Sequence, residues 1–149
     1  MIQVEIDQSG RTDVLTHDTV LACSNGIQAA ILIPARVKRQ CYQQLKAKGV
    51  RKRLIGIKLF AAGLVLLLQP HIAHLELIII DLEYEGWNAT IKEHLLRHLR
   101  TERPTLTNQQ IVFRRIGKGS PAHSLALSVY RGKRKPDRLI GAKELLTVC

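Results

Sequence analysis

The amino-acid sequence predicts a single α/β domain over residues 1–149, built on a five-stranded mixed sheet with helices on both faces. Three observations carry this expectation. The chain opens with strand-like alternation broken by turn signals. Helix-like stretches then alternate with apolar runs. Neither a linker nor an internal repeat interrupts them. The resulting order is β-β-β-α-α-β-α-β-α, and three hairpin-connected strands followed by alternating helices and strands make one mixed sheet.

Residues 2–7 alternate apolar and polar side chains, the period of a half-buried strand, and Gln8-Ser9-Gly10 turns the chain. Residues 19–23 read as a second strand. Ser24-Asn25-Gly26 is a hairpin turn because Asn and Gly tolerate positive φ, and residues 27–33 return as a third strand. Pro34 suits a helix start, residues 35–48 are rich in helix formers, and Gly49 stops them. Residues 54–68 read as a second helix, although their β-branched residues leave a strand open, and Gln69-Pro70 breaks the run. The near-continuous apolar run 75–81 marks a central buried strand. Asn88 is placed to cap a helix reaching about Arg100, in which Ile91, Leu95, Leu96 and Leu99 recur at helical spacing. Residues 110–116 form the fifth strand. Gly117 and Gly119 make a loop, Ser120-Pro121 is an N-cap followed by an N1 proline, and residues 122–130 continue as helix. The tail, 136–146, reads as one more short helix.

Charge supplies the first functional signal. Twenty-three Lys+Arg face 12 Asp+Glu, a formal net charge of +11, which attracts polyanions such as nucleic acid or an anionic membrane surface. The charge is clustered. One cluster holds Arg36, Lys38, Arg39, Lys46, Lys48, Arg51, Lys52 and Arg53; the other holds Arg131, Lys133, Arg134, Lys135 and Arg138. Such clusters neutralise phosphates without reading sequence. Aromatic residues make up only 4%, too few for base stacking on the scale of single-strand binders. The three cysteines show no metal-ligand spacing and, with no targeting pattern at the start of the chain, suggest free thiols in a cytoplasmic protein. The longest apolar run, 59–68, is about half the roughly 20 residues a membrane helix needs, so the expectation is a buried helix and no membrane.

Two strands end in carboxylates, Asp7 and Asp81. If those strands are neighbours, the two acids meet at one sheet edge and repel unless a cation compensates. Hard divalent cations, Mg²⁺ or Mn²⁺, suit carboxylate and phosphate oxygens and can promote phosphodiester hydrolysis. The alternative is that each acid is a solvated strand end or a cap. His123 sits in the first turn of a helix after a glycine loop, where a neutral imidazole can bind a metal or accept a proton from water. Its alternative is a surface or packing role. His94 and His98, four apart on one helix, are expected to be a polar face rather than a zinc pair, because Leu95 stands where the metalloprotease pattern has Glu. Gly117-Lys118-Gly119-Ser120 is too short for a P-loop. Trp87 can stack at a distorted junction or belong to the core, with core favoured.

Ile6-Asp7-Gln8-Ser9-Gly10 resembles the first-strand motif of the ribonuclease H-like superfamily, an Asp followed closely by Ser-Gly. Within it the chain is most similar to the RuvC-type Holliday-junction resolvases. Gln69-Pro70 followed by a strand ending at Asp81 matches their Gln-Pro, strand, carboxylate pattern. The segment from Ser120 to Leu127 resembles the start of their last helix, where Asp-x-x-Asp precedes Ala-Leu-Ala. The resemblance implies catalytic and metal-binding roles for Asp7, Asp81 and His123. Glu83 and Glu85 are substitutes for the Glu that the family usually has at the position of Asp81, and Asp137 is a spare acid in the tail. His123 falls on the second carboxylate of the last-helix motif, and Ser120 departs from the pattern by replacing the first.

The expected function is therefore a metal-dependent, structure-selective endonuclease acting on branched DNA. Nucleic acid is its partner, bound through Arg36, Lys38, Arg39, Arg51, Lys52, Arg53, Arg131, Lys133, Arg134 and Lys135. A symmetric junction would suit a homodimer, with the apolar second helix as one interface. Two alternatives stand beside this: a catalytically weak or inactive domain of the same fold that binds nucleic acid or protein, which Ser120 favours, and a ribonuclease acting on RNA–DNA hybrids.

Overall fold

The structure is a computed structural model that describes residues 2–149. Six strands form one mixed sheet: β1 (Ile2–Ser9), β2 (Thr19–Ser24), β3 (Ala29–Ile33), β4 (Leu75–Ile80), β5 (Ile111–Phe113) and β6 (Arg138–Leu139). Their order across the sheet is β5-β4-β1-β2-β3-β6. The first three strands are antiparallel neighbours, β4 and β5 run parallel to β1 on one side, and β6 runs parallel to β3 on the other. Five helices accompany it: α1 (Ala35–Ala47), α2 (Lys52–Leu68), α3 (Asn88–Leu99), α4 (Pro121–Tyr130) and α5 (Ala142–Thr147).

The pleat divides each strand between two cores. Val4 and Ile6 of β1, Leu21 and Cys23 of β2, and Ile78 and Ile80 of β4 face the larger core. There α2 lies against the sheet, with α1, α3 and α5 packed around it. Val20, Ala22 and Ala30 face the other way, under Leu125, Ala126 and Val129 of α4. Glu5 and Asp7, alternating with Val4 and Ile6, therefore face α4. Helix α2 is buried from Ile55 to Leu68 except at Lys58, which explains its unbroken apolar sequence. It is enclosed by its own chain, so it is not the dimer face the sequence suggested. The stretch 52–74 has the length and mean hydropathy of a membrane span but is mostly covered inside the fold.

Four sequence expectations change. Strand β1 runs on to Ser9, so Asp7 lies inside it and Gln8 and Ser9 are strand rather than turn, held by their pairing with β2. The sheet has six strands, not five, because the tail contributes β6 before the short α5. Asp137 causes this: its amide donates to the carbonyl of Ala30 at 2.8 Å, and its Oδ2 accepts from the amide of Ala30 at 2.7 Å, fixing the tail to the edge of β3. Strand β5 is shorter than 110–116. After Phe113 one ladder bond remains, from the amide of Arg114 to Ile80, and the amide of Ile116 then turns onto the Asp81 carboxylate, drawing the chain out of the sheet. Asn88 begins α3 rather than capping it; Trp87 occupies the cap position without a side-chain hydrogen bond.

Candidate active site

Strand pairing brings the two predicted acids together. β1 and β4 are parallel neighbours with Ile6 opposite Ile80, and the amide of Asp81 donates to the carbonyl of Ile6 at 3.0 Å. Asp7, inside β1, and Asp81, just past the end of β4, thus stand side by side about 4.8 Å apart in backbone, on the face covered by α4. Glu83, two residues into the connection from β4 to α3, joins them. One carboxylate oxygen from each of Asp7, Asp81 and Glu83 lies within 4.8 Å of the others. Asp7 is 6% exposed. Two backbone amides orient the acids: Gln8 donates to Asp7 Oδ1 and Ile116 donates to Asp81 Oδ1, both at 2.8 Å.

Helix α4 completes the cluster. Ser120 caps it, its Oγ accepting from the amide of Ala122 at 3.2 Å, and Pro121 takes the first helical position. Packing of α4 on β1 and β2 then aims His123 at Asp7, and Nδ1 of His123 donates to Asp7 Oδ2 at 2.8 Å. Ser120 also donates to Glu5 Oε1 at 2.9 Å. The position where the resemblance expects an acid thus holds a hydroxyl that is already engaged.

The electrostatics are those of crowded acids. Burial pushes the Asp7 carboxyl up and Asp81 adds to the rise, while the hydrogen bonds from His123 and Gln8 oppose it. Burial, with Asp81 and Asp7 acting in the same direction, pushes Glu83 up to about 7. Beneath them Gln8 Oε1 accepts from Tyr84 Oη at 3.2 Å, and Gln8 Nε2 is buried with no hydrogen-bond partner. Neither Gln8 nor Tyr84 was singled out in sequence, because Gln8 alternates with Asp7 along β1 and Tyr84 lies in the connection after β4, where no motif marks it.

Other predicted residues separate. Glu85 is exposed and lies in a neighbouring cleft of about 490 Å³ with Arg11, Lys52, Arg53 and Trp87. Asp137 lies three strands from Asp7, roughly 14 Å at ordinary strand spacing, and serves the sheet edge. Trp87 is half-buried between core and cleft. His94 Nε2 lies 2.7 Å from the carbonyl of Val148 and is thus engaged inside the fold.

Among the predicted phosphate contacts, Lys38 is excluded: it is 0% exposed and its ammonium is bonded inside the fold. Arg36, Arg39, Arg51, Lys52, Arg53, Arg131, Lys133, Arg134 and Lys135 are exposed. Arg131 and Lys133 share a cleft of about 200 Å³ with His123, and Lys52 and Arg53 line the separate cleft that holds Glu85 and Trp87. The sequence reading passed over Arg114, Arg115 and Lys118, all exposed in the β5–α4 connection that closes on Asp81. Their signal was a basic run directly beside a strand end.

No family model, curated protein or solved structure matches this chain.

Proposed function

We propose that the chain is a ribonuclease H-like, metal-dependent nuclease that hydrolyses phosphodiesters in branched DNA, in the manner of the RuvC-type resolvases it resembles. The convergence of Asp7, Asp81 and Glu83 within 4.8 Å, with His123 on Asp7, carries this reading. The strand order supports it: three antiparallel strands, then parallel strands added beside the first.

The donor set fits a hard divalent cation. It is all oxygen, and it is a group of acids whose mutual repulsion and burial raise Asp7 and Glu83, a cost that Mg²⁺ or Mn²⁺ relieves. A bound cation would supply Lewis-acid stabilisation at the scissile phosphate. Asp7, Asp81 and Glu83 would hold it, with the amides of Gln8 and Ile116 fixing two of the carboxylates. His123 keeps Nδ1–H on Asp7, which leaves Nε2 to accept a proton from the attacking water. Arg114, Arg115 and Lys118, exposed in the connection that turns onto Asp81, and Arg131 and Lys133, in the cleft with His123, would supply cations for the flanking phosphates.

The test is cleavage of a four-way junction, an RNA–DNA hybrid and a linear duplex with Mg²⁺ or Mn²⁺, each with and without chelator. Chelator-sensitive cleavage preferring the junction is expected. Preference for the hybrid would make the protein a ribonuclease instead. Metal-independent cleavage would overturn the proposal. Ser120 favours a second reading: α4 brings a hydroxyl, already held by Glu5, where an acid is expected. Junction binding without cleavage would establish that reading.

A further inference from the structure

Lys38 is one of the largest fully buried side chains, and among the described residues it has no carboxylate in contact. Its ammonium donates to the carbonyl of Arg11 at 3.1 Å, to the carbonyl of Val14, and to Thr19 Oγ1 at 3.0 Å. A buried charge without a counter-ion is costly, and an aliphatic residue would fill the same space without that cost. Burial pushes Lys38 down to about 8; Asp18 and Asp13 oppose that shift, and Arg39 adds to it. At neutral pH it therefore keeps three N–H donors for its three oxygens.

Those oxygens belong to the connection between β1 and β2 and to the start of β2. The opposite side of that connection grips the Glu83 segment. Arg11 Nη1 donates to the carbonyl of Glu83 at 2.8 Å, and its guanidinium lies 4.4 Å over the Tyr84 ring. The amide of Thr12 donates to Tyr84 Oη at 3.0 Å, and Tyr84 Oη donates to Gln8 beside Asp7. We propose that Lys38 is a positioning residue for the carboxylate site: by holding the backbone at Arg11 and Val14, it braces Glu83 against Asp7 and Asp81. This rests on the metal-site reading above.

The experiment measures Mn²⁺ affinity by calorimetry at neutral pH, together with emission of Trp87, the single tryptophan, which closes the braced segment. The proteins are the parent, Lys38→Met, Arg11→Ala and, as a control for core damage on the same helix, Val37→Ala. Lys38→Met and Arg11→Ala should each bind Mn²⁺ about 10–100-fold more weakly, the usual loss when a support behind a metal ligand is removed, while Val37→Ala keeps the parent affinity. Parent affinity in folded Lys38→Met overturns the proposal. If Lys38→Met does not fold, parent affinity in Arg11→Ala overturns it instead. If the parent protein binds no Mn²⁺, the metal reading fails and Trp87 decides alone: a red shift in Lys38→Met or Arg11→Ala supports the brace, and unchanged emission in both overturns it.

Discussion

Glu83 carries its negative charge with difficulty, because it is partly buried and faces two other carboxylates. A proton and a divalent cation compete for it. Below about 7 the proton wins; above, the ionised group joins the other two acids. Mn²⁺ affinity should therefore rise with pH through about 7 and then level off, and Glu83→Gln should flatten that rise, which calorimetry across the range will read. Asp7→Asn should abolish cleavage yet keep or tighten DNA binding, since the charge removed is negative and faces phosphate; a gel-shift and cleavage assay on the same junction checks both halves. His123→Ala should lower cleavage by about 10²–10⁴-fold, the usual contribution of a positioned proton acceptor, with an unchanged unfolding midpoint. Asp7, Asp81 and His123 could be singled out in the sequence because each stands near turn residues and because the family resemblance falls on all three. Lys38 was misread as a phosphate contact. It occupies the same helical stripe as Cys41, Tyr42 and Leu45, which face the core, and that spacing was the available signal.

At the scale of elements, α3 is tied to the end of the chain by His94, whose ring nitrogen donates to Val148. Burial pushes His94 down to about 4. The unfolded chain, with an ordinary imidazole near 6.5, takes up a proton that the folded protein refuses. The contribution is therefore complete above about pH 6.5 and is lost as the pH falls toward 4, amounting to a few kcal/mol, on the order of 2–3. Chemical denaturation at pH 7 and pH 5 should show the parent losing stability at the lower pH, and His94→Gln should lose distinctly less. The turn after β1 has its own requirement. Gly10 has φ of +77°, and a Cβ there would lie 2.1 Å from the carbonyl oxygen of Asp18. Gly10→Ala should therefore destabilise the fold by more than about 1 kcal/mol in a denaturant titration.

Over the whole molecule, the net charge of +11 includes two exposed basic groups, Arg131 and Lys133 in a cleft with His123, and Lys52 and Arg53 in a cleft with Arg11, Tyr84 and Glu85. Binding to DNA should be dominated by counterion release, so log affinity should fall linearly with log salt, with a slope near −0.9 per neutralised phosphate. Replacing Arg51, Lys52 and Arg53 together with Ala should shallow that slope and weaken binding about equally on unrelated sequences of the same shape. The same triple replacement with Lys38 left intact should not change Mn²⁺ affinity, since none of the three is paired with an acid among the described residues.

The strands and helices up to α4 could be read from the sequence because each has a local cause: alternation in β1, the Asn25-Gly26 turn with Asn25 at φ of +78°, the Ser120-Pro121 start of α4. The sequence by itself also determined that Asp81 closes an apolar strand and that the chain is strongly basic, whereas Asp7 lies inside β1, two residues before its end. Tertiary structure alone decided the rest, since each remaining feature depends on residues far apart in the chain. The sixth strand exists because Asp137 finds Ala30, 107 residues away. Glu83 rather than Glu85 joins the acids because Arg11 and Tyr84 hold the connection after β4 in one path. Lys38 turns inward because three oxygens from another segment wait for its protons. Periodicity records which face a residue shares with its neighbours, but only the closed fold determines what stands opposite.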